Sequence, residues 1–176
     1  EQYQGMNILH SPFQSARQIF DLMARDSKED WDNIAARMSR VPDALGSYRE
    51  TLEEGVGKGQ TTTRRQVLGV IEQAKVYSGA GGNPSFFDGL VTAYDATDLG
   101  DGALRERLAN AAVDASTAFV NFGTFLADEH IAVTPDRDGV GRDRYELKGR
   151  SYLGAQIDFE ETYAWGWEQV RWAESE

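Results

Sequence analysis

Residues 104–126, LRERLANAAVDASTAFVNFGTFL, form the longest continuous helical pattern in this sequence and decide its fold class. Apolar side chains that recur every three or four residues form one face of a helix. Such a stripe, one or two residues wide, suits a helix that packs among other helices. We therefore expect a single long helix inside a bundle. The apolar side chains recur at steps of three or four residues: Leu104, Leu108, Ala111, Ala115, Phe119, Phe122 and Leu126.

Helix start signals divide the first half of the chain. Ser11 precedes Pro12, and serine is a good cap where proline suits the first helical position. Ser27 and Asp30 have the spacing of an acidic capping box. Pro42 opens a third helix. Each start is followed by an apolar stripe at helical spacing, so these segments belong to the same bundle.

The second half contains further helices and one short strand candidate. Residues 79–84, GAGGNP, are a clear break, and residues 142–153 are expected to be helical. Asp158 is placed to cap a final helix from Phe159 to about Ala173. Residues 131–134, IAVT, are the best strand candidate. The sequence predicts an all-α, multi-helix bundle of about seven or eight helices, with residues 1–176 as a single helical domain.

Composition argues against several functional classes. The 176 residues carry a formal net charge of −11, which disfavours a nucleic-acid partner and an anionic membrane surface. No stretch approaches the roughly 20 apolar residues of a membrane span. The chain has no cysteine, which fits a cytoplasmic location. Because residue 1 is glutamate and not methionine, we expect a processed product or a fragment of a longer protein, and a signal peptide cleaved from a longer precursor stays open as an alternative.

No metal or catalytic set is visible. A catalytic zinc site takes three protein ligands, but His10 and His130 are the two histidines of the chain and no His-Glu-x-x-His motif occurs. His10 is expected to pack locally, and His130, at a helix end, to sit where a cation is favoured. The aspartates of residues 95–101 and 136–138 lack the spacing of a calcium loop, so we interpret them as solvated turns.

The last helix has apolar side chains on two sides. Tyr163, Trp167 and Val170 cluster on one side, and Trp165 and Trp172 lie on roughly the opposite side. Two interpretations stay open. The helix is a central core helix, or one face meets a domain or partner outside this chain.

Several strings resemble a bacterial family, "domain of unknown function 885". Together they cover nearly the whole chain, and the C-terminal ones resemble it most strongly. The matching strings are residues 3–7 (YQGMN), 10–14 (HSPFQ), 20–23 (FDLM), Trp31, 41–49, 52–55, 126–135, 139–145 (GVGRDRY), 152–154 (YLG) and 161–168 (ETYAWGWE).

The resemblance implies a longer, mainly helical protein similar to zinc metallopeptidases. In that family the His-Glu-x-x-His motif lies well downstream of the Trp-Gly-Trp segment, so this chain corresponds to the N-terminal and middle portion without the motif. No catalytic or metal residue is carried over. Zinc, if the parent binds it, belongs to the full-length parent, and the implied partners are the remaining C-terminal part of that protein and a peptide substrate.

Two functional hypotheses follow. The first is a non-catalytic helical portion of a metallopeptidase-like hydrolase that lines the substrate cleft. The second is a stand-alone helical interaction module without enzymatic activity. Ordinary packing and helix capping are the alternative explanation for the candidate surface residues. These candidates for a substrate or domain-interface surface are Gly141, Arg142, Tyr145, Trp165, Gly166 and Trp172.

Overall fold

A computed structural model describes residues 2–176, and all regular secondary structure in that range is helical. This confirms the predicted all-α fold and the expected number of helices. Three short 3-10 helices, Gln2–Gln4, Ile19–Asp21 and His130–Val133, accompany the α-helices. The α-helices are α1 (Pro12–Gln18), α2 (Lys28–Met38), α3 (Val41–Gly57), α4 (Arg64–Ser78), α5 (Phe86–Asp95), α6 (Gly102–Asp128), α7 (Arg142–Leu153) and α8 (Phe159–Ser175).

The long helix α6 organises the core. The carboxylate of Asp101 accepts a hydrogen bond from the Leu104 amide (3.1 Å) and so caps its first turn. Helices α2, α3, α4 and α5 all contact α6. The predicted stripe of residues 104–126 is buried, which confirms its core position.

Aromatic rings fill the centre between α6 and the first helices. Phe13 of α1 lies 5.1 Å from Phe119 and 5.6 Å from Phe122, measured between ring centroids. Tyr48 of α3 stacks on Phe122 at 5.7 Å. Burial raises the pKa of the Tyr48 hydroxyl to about 12. Since these rings come from three helices, they fix how α1 and α3 pack on α6.

Local hydrogen bonds explain where the helices begin and end. Ser27 and Asp30 form the predicted capping box, and Ser85 with Asp88 forms a second one that opens α5. Gly79 follows α4 with φ of 79°, a left-handed conformation that glycine adopts without a steric penalty.

Two local predictions were wrong. Residues 131–134 are not a strand. His130–Val133 form a 3-10 helix, and the Ile131 carbonyl accepts from the amide (3.3 Å) and hydroxyl (2.8 Å) of Thr134. His130 is not placed to carry a charge. It is 2% exposed, neither ring nitrogen has a hydrogen-bond partner among the described residues, and burial lowers its pKa.

The segment before α1 is held by side chains that bind its backbone. The Thr62 hydroxyl donates to the Met6 carbonyl (2.7 Å). Gln73 donates to the Ile8 carbonyl (2.8 Å), and Gln14 donates to the carbonyl of Asn7 (2.8 Å). These bonds satisfy main-chain groups in the irregular stretch between the 3-10 helix Gln2–Gln4 and α1.

Contacts group the chain into two compact units, divided between Asp138 and Gly139. The main unit runs to Asp138 and contains α1 to α6. The C-terminal unit, Gly139–Glu176, contains α7 and α8. The expectation of a single domain stays a prediction.

Candidate binding groove

The C-terminal unit has an apolar groove of about 730 Å³ along α8, which the start of α7 also lines. Three glycines, Gly139, Gly141 and Gly166, contribute to the groove beside polar Arg142 and Thr162. Most of the remaining lining is aromatic or aliphatic: Tyr145, Ile157, Phe159, Tyr163, Trp167 and Val170. This volume lies in the range of small-ligand sites, roughly 300–1,000 Å³.

The spacing on α8 places its groove residues in one row. Phe159, Tyr163 and Trp167 follow each other at four-residue steps and therefore share a face of the helix. The rings of Tyr163 and Trp167 meet edge to face with centroids 6.2 Å apart. Tyr145 of α7 packs against Phe159 at 5.1 Å. These ring contacts orient the aromatic walls before any ligand is present.

Gly166 borders open volume in the groove. A methyl group at this position would meet no heavy atom within 4 Å, so the space above it is free. Gly141 has a different role, because its φ of 83° lets the chain turn into α7. The two glycines that the sequence singled out thus serve the groove through volume and through backbone conformation.

Arg142 lies at one side of the groove in a bidentate ion pair. Its two terminal nitrogens lie 2.7 and 3.2 Å from the Glu160 carboxylate oxygens. The hydrogen bond that Arg142 donates to the Glu160 carboxylate raises the pKa of Arg142 and lowers the pKa of Glu160. The Arg142 guanidinium also lies 5.5 Å from the Phe159 ring centroid.

A second, polar hollow of about 440 Å³ adjoins the groove. Both share Arg142, Ile157 and Phe159 as lining residues. The polar hollow adds Glu146 and Asp158. Glu146 accepts a hydrogen bond from the Gln156 side chain (3.0 Å), and Asp158 accepts from the Glu161 amide (2.9 Å) as the cap of α8.

The structure brings four of the six predicted surface residues together. Gly141, Arg142, Tyr145 and Gly166 all line the groove, whereas Trp165 and Trp172 do not. These two tryptophans are 59% and 62% exposed. No side chain of α8 is buried, so the interpretation of this helix as a central core helix was wrong.

Sequence reasoning missed some of the groove. Ile157, Phe159 and Thr162 were not predicted as surface residues, although the four-residue spacing of Phe159, Tyr163 and Trp167 was a usable signal. The residues of α7 that line the groove could not be identified from the residue spacing on α8 alone.

Aspartates of both turns form ion pairs within the main unit. Asp95 forms an ion pair with Arg105 (2.7 Å), and Asp101 caps α6 and pairs with Lys28 (3.1 Å). Asp138 pairs with Arg65 at 2.7 Å and accepts from the Thr63 hydroxyl. In residues 2–176, no group of three or more His, Cys, Asp or Glu side chains is arranged to hold a metal ion.

The sequence profile of one family, described as "Bacterial protein of unknown function (DUF885)", matches residues 1–176. The chain belongs to this family. A search of curated proteins finds no match to this chain. The DUF885 profile covers both the main unit and the C-terminal unit that holds the groove. Within the described part of this DUF885 chain, no helix is long and apolar enough to span a membrane.

Proposed function

We propose that this chain is a non-catalytic helical portion of a metallopeptidase-like hydrolase, and that its groove lines part of the substrate cleft by binding an apolar side chain of a peptide. The observation that supports the proposal most directly is the groove itself. It combines an open apolar volume of about 730 Å³ with ring contacts that hold its walls in place.

Exposed aromatic side chains are the physical reason to expect a ligand. Tyr163 and Trp167 are 70% and 48% exposed although they share one apolar face. Covering such a face with an apolar side chain is favourable by roughly 1.5–3 kcal/mol for one fully buried residue. A contact of that size supports weak, reversible binding, which suits a cleft that must release its product.

The chemistry of hydrolysis is assigned to other parts of the protein. A catalytic zinc takes three protein ligands, and the described residues provide no such set. On this proposal, zinc and the group that activates water are supplied by residues outside this chain. The chain contributes binding and orientation of the peptide.

A second candidate function is a stand-alone interaction module, which Trp165 and Trp172 favour. Both are more than half exposed and lie outside the groove. A module of this kind would bind a partner through those tryptophans. The two functions therefore differ in which side of α8 is covered on binding.

The test is peptide binding to the 176-residue chain, followed by NMR at the tryptophan indole N–H groups. The probe is the blocked tetrapeptide Ac-Ala-Phe-Gln-Ala-NH2 at millimolar concentration. We expect the Trp167 signal to shift in a saturable way and the signal of Trp31, which is 1% exposed, to stay in place. Saturable shifts at Trp165 and Trp172 without a shift at Trp167 would support the module instead.

A substitution that fills the groove is compared with a matched substitution outside it. Gly166→Leu should abolish the Trp167 shift because the new side chain fills open volume in the groove. Gly149→Leu, a helical glycine of α7 that also has no heavy atom within 4 Å of its would-be methyl group, should bind normally. Equal binding by both variants would contradict the groove as the site.

Zinc content tests the second half of the proposal. After dialysis of the chain against a weak chelator, we expect no stoichiometric zinc by elemental analysis. One tightly held zinc per chain would show that residues 1–176 do provide a metal site, and the assignment of a non-catalytic role would be wrong.

A further inference from the structure

We propose that the groove selects an apolar side chain that is directly followed by a positively charged one. The inference rests on the proposed function, because it specifies which peptide the groove prefers. It is carried by the position of the polar hollow, which shares a wall with the apolar groove and is rich in carboxylates.

A single short ligand can reach both spaces. Arg142, Ile157 and Phe159 line the groove and the polar hollow together, so the two spaces meet at this wall. Successive side chains of an extended peptide point to opposite sides of the backbone, with a rise of about 3.3 Å per residue. A peptide whose backbone runs along this shared wall can therefore place one side chain in the groove and the next one in the hollow.

The charge around the hollow is negative. Glu146, Asp158 and Glu160 all act electrostatically on one guanidinium, that of Arg142. Three carboxylates around one cation leave an excess of two negative charges in this group. The Glu160 carboxylate is already bound to Arg142 through a bidentate contact. Glu146 and Asp158, which line the hollow, are therefore the carboxylates that a ligand cation would contact.

An acidic ligand faces the opposite situation. Its carboxylate would have to displace Glu160 from the bidentate contact with Arg142, and it would approach Glu146 and Asp158 at the same time. Like charges at short range repel, and the cost is greatest at low ionic strength. The same arrangement that attracts a lysine or arginine therefore rejects glutamate.

The experiment compares three peptides that differ at one position: Ac-Ala-Phe-Lys-Ala-NH2, Ac-Ala-Phe-Gln-Ala-NH2 and Ac-Ala-Phe-Glu-Ala-NH2. Dissociation constants are measured on the 176-residue chain from the Trp167 indole shift. We expect the lysine peptide to bind about fivefold more tightly than the glutamine peptide at low salt, because exposed charge contacts are individually weak. The glutamate peptide should bind most weakly, and the differences should nearly vanish in about 1 M salt.

The outcomes separate this inference from the proposed function. Equal binding of all three peptides would overturn the charge preference and leave the groove as a binding site. Failure of all three to shift Trp167 would overturn both. Tighter binding of the glutamate peptide would also overturn the inference, since Arg142 would then be the group that the ligand contacts.

Variants locate the preference in two residues. Glu146→Gln with Asp158→Asn removes both charges but keeps a hydrogen-bond acceptor for Gln156 and an asparagine cap for α8. The double variant should lose the fivefold preference for the lysine peptide over the glutamine peptide. Glu168→Gln changes a carboxylate of α8 that lines neither space and should keep the preference. Retention of the preference in the double variant would refute the assignment.

Discussion

The side chain of Ile8 lies directly over Gly69, so closely that a methyl group at position 69 would overlap with the Cγ2 atom of Ile8. Gly69 is in the middle of α4, where glycine is otherwise unfavourable. Ile8 cannot move away easily, because its amide donates to Gln66 (3.0 Å) and its carbonyl accepts from Gln73 (2.8 Å). The absence of a side chain at Gly69 thus allows Ile8 of the N-terminal segment to pack directly against α4.

We expect Gly69→Ala to lower the free energy of unfolding by about 1–2 kcal/mol. The overlap with Ile8 outweighs the gain of up to about 1 kcal/mol that alanine brings inside a helix. Gly46→Ala in α3 is the matched control, because a methyl group there would meet no heavy atom within 4 Å. Urea denaturation should show Gly46→Ala stabilised and Gly69→Ala destabilised. A gain in both variants would mean that Ile8 is not held in place.

Gln14 is a second anchor of the same segment. It is 1% exposed, donates to the Asn7 carbonyl and to the Gln73 side chain, and accepts from the Ser11 hydroxyl. Gln14→Ala leaves buried polar partners without hydrogen bonds and should cost about 2–4 kcal/mol in urea denaturation. Gln18→Ala, on the exposed side of the same helix, should change stability by less than about 0.5 kcal/mol. Similar losses of stability in both variants would contradict the conclusion that the hydrogen bonds of Gln14 hold this segment in place.

The buried His130 makes the chain less stable as the pH falls below about 6.5, the usual pKa of histidine. Its ring packs 5.7 Å from that of Phe125. The Arg49 guanidinium lies over the Phe125 ring and pairs with Glu129, and Arg64 donates to the carbonyl of the residue after His130. Burial lowers the pKa of His130 below its usual value of about 6.5. As the pH falls below that value, the unfolded chain takes up the proton first, so the free energy of unfolding decreases.

Substitution of this histidine should flatten the pH dependence. The free energy of unfolding of the unsubstituted chain should fall by up to about 1.4 kcal/mol per pH unit below the usual pKa of histidine. That of His130→Leu should fall much less. His10→Gln changes an exposed histidine and should keep the parent slope. The measurement is urea denaturation at pH 7, 6 and 5. An unchanged slope in His130→Leu would show that another group titrates in this range.

The two units should differ in amide hydrogen exchange. Ten residues of α6 are buried, whereas α7 and α8 contain no buried side chain. Helices without buried apolar side chains open at low free-energy cost. We expect the central amides of α6 to exchange at least about a hundredfold more slowly than those of α7 and α8, measured by NMR. Equal protection would mean that the C-terminal unit is stabilised by contacts other than side-chain burial.

Local signals in the sequence predicted the helix boundaries well. Ser27 with Asp30, and Asp158 before Phe159, form the expected caps because a cap depends on hydrogen bonds within one turn. The bounds of α7 agree with the prediction. The first helix ends at Gln18 and is followed by the 3-10 helix Ile19–Asp21, in which the Phe20 carbonyl accepts a hydrogen bond from the Arg25 side chain (3.0 Å).

Features that depend on distant packing were not predictable in this way. Ile131 and Val133 favour strands by residue type, but the turn closed by Thr134 and the packing of His130 decide the local structure. The groove shows the same limit. Two apolar sides of α8 were evident, but only contacts such as Tyr145 with Phe159 show which side forms a concave surface.

The length of α6 also restricts how this chain can vary between relatives. A helix turns by about 100° per residue, so inserting or deleting one residue in the middle of Gly102–Asp128 would rotate Phe119 and Phe122 away from the stripe that begins at Leu104. Four helices would then lose their common packing surface at once. Natural length variation should therefore be absent from α6 and concentrated in connections such as residues 79–84, where an added residue shifts no side chain of the core.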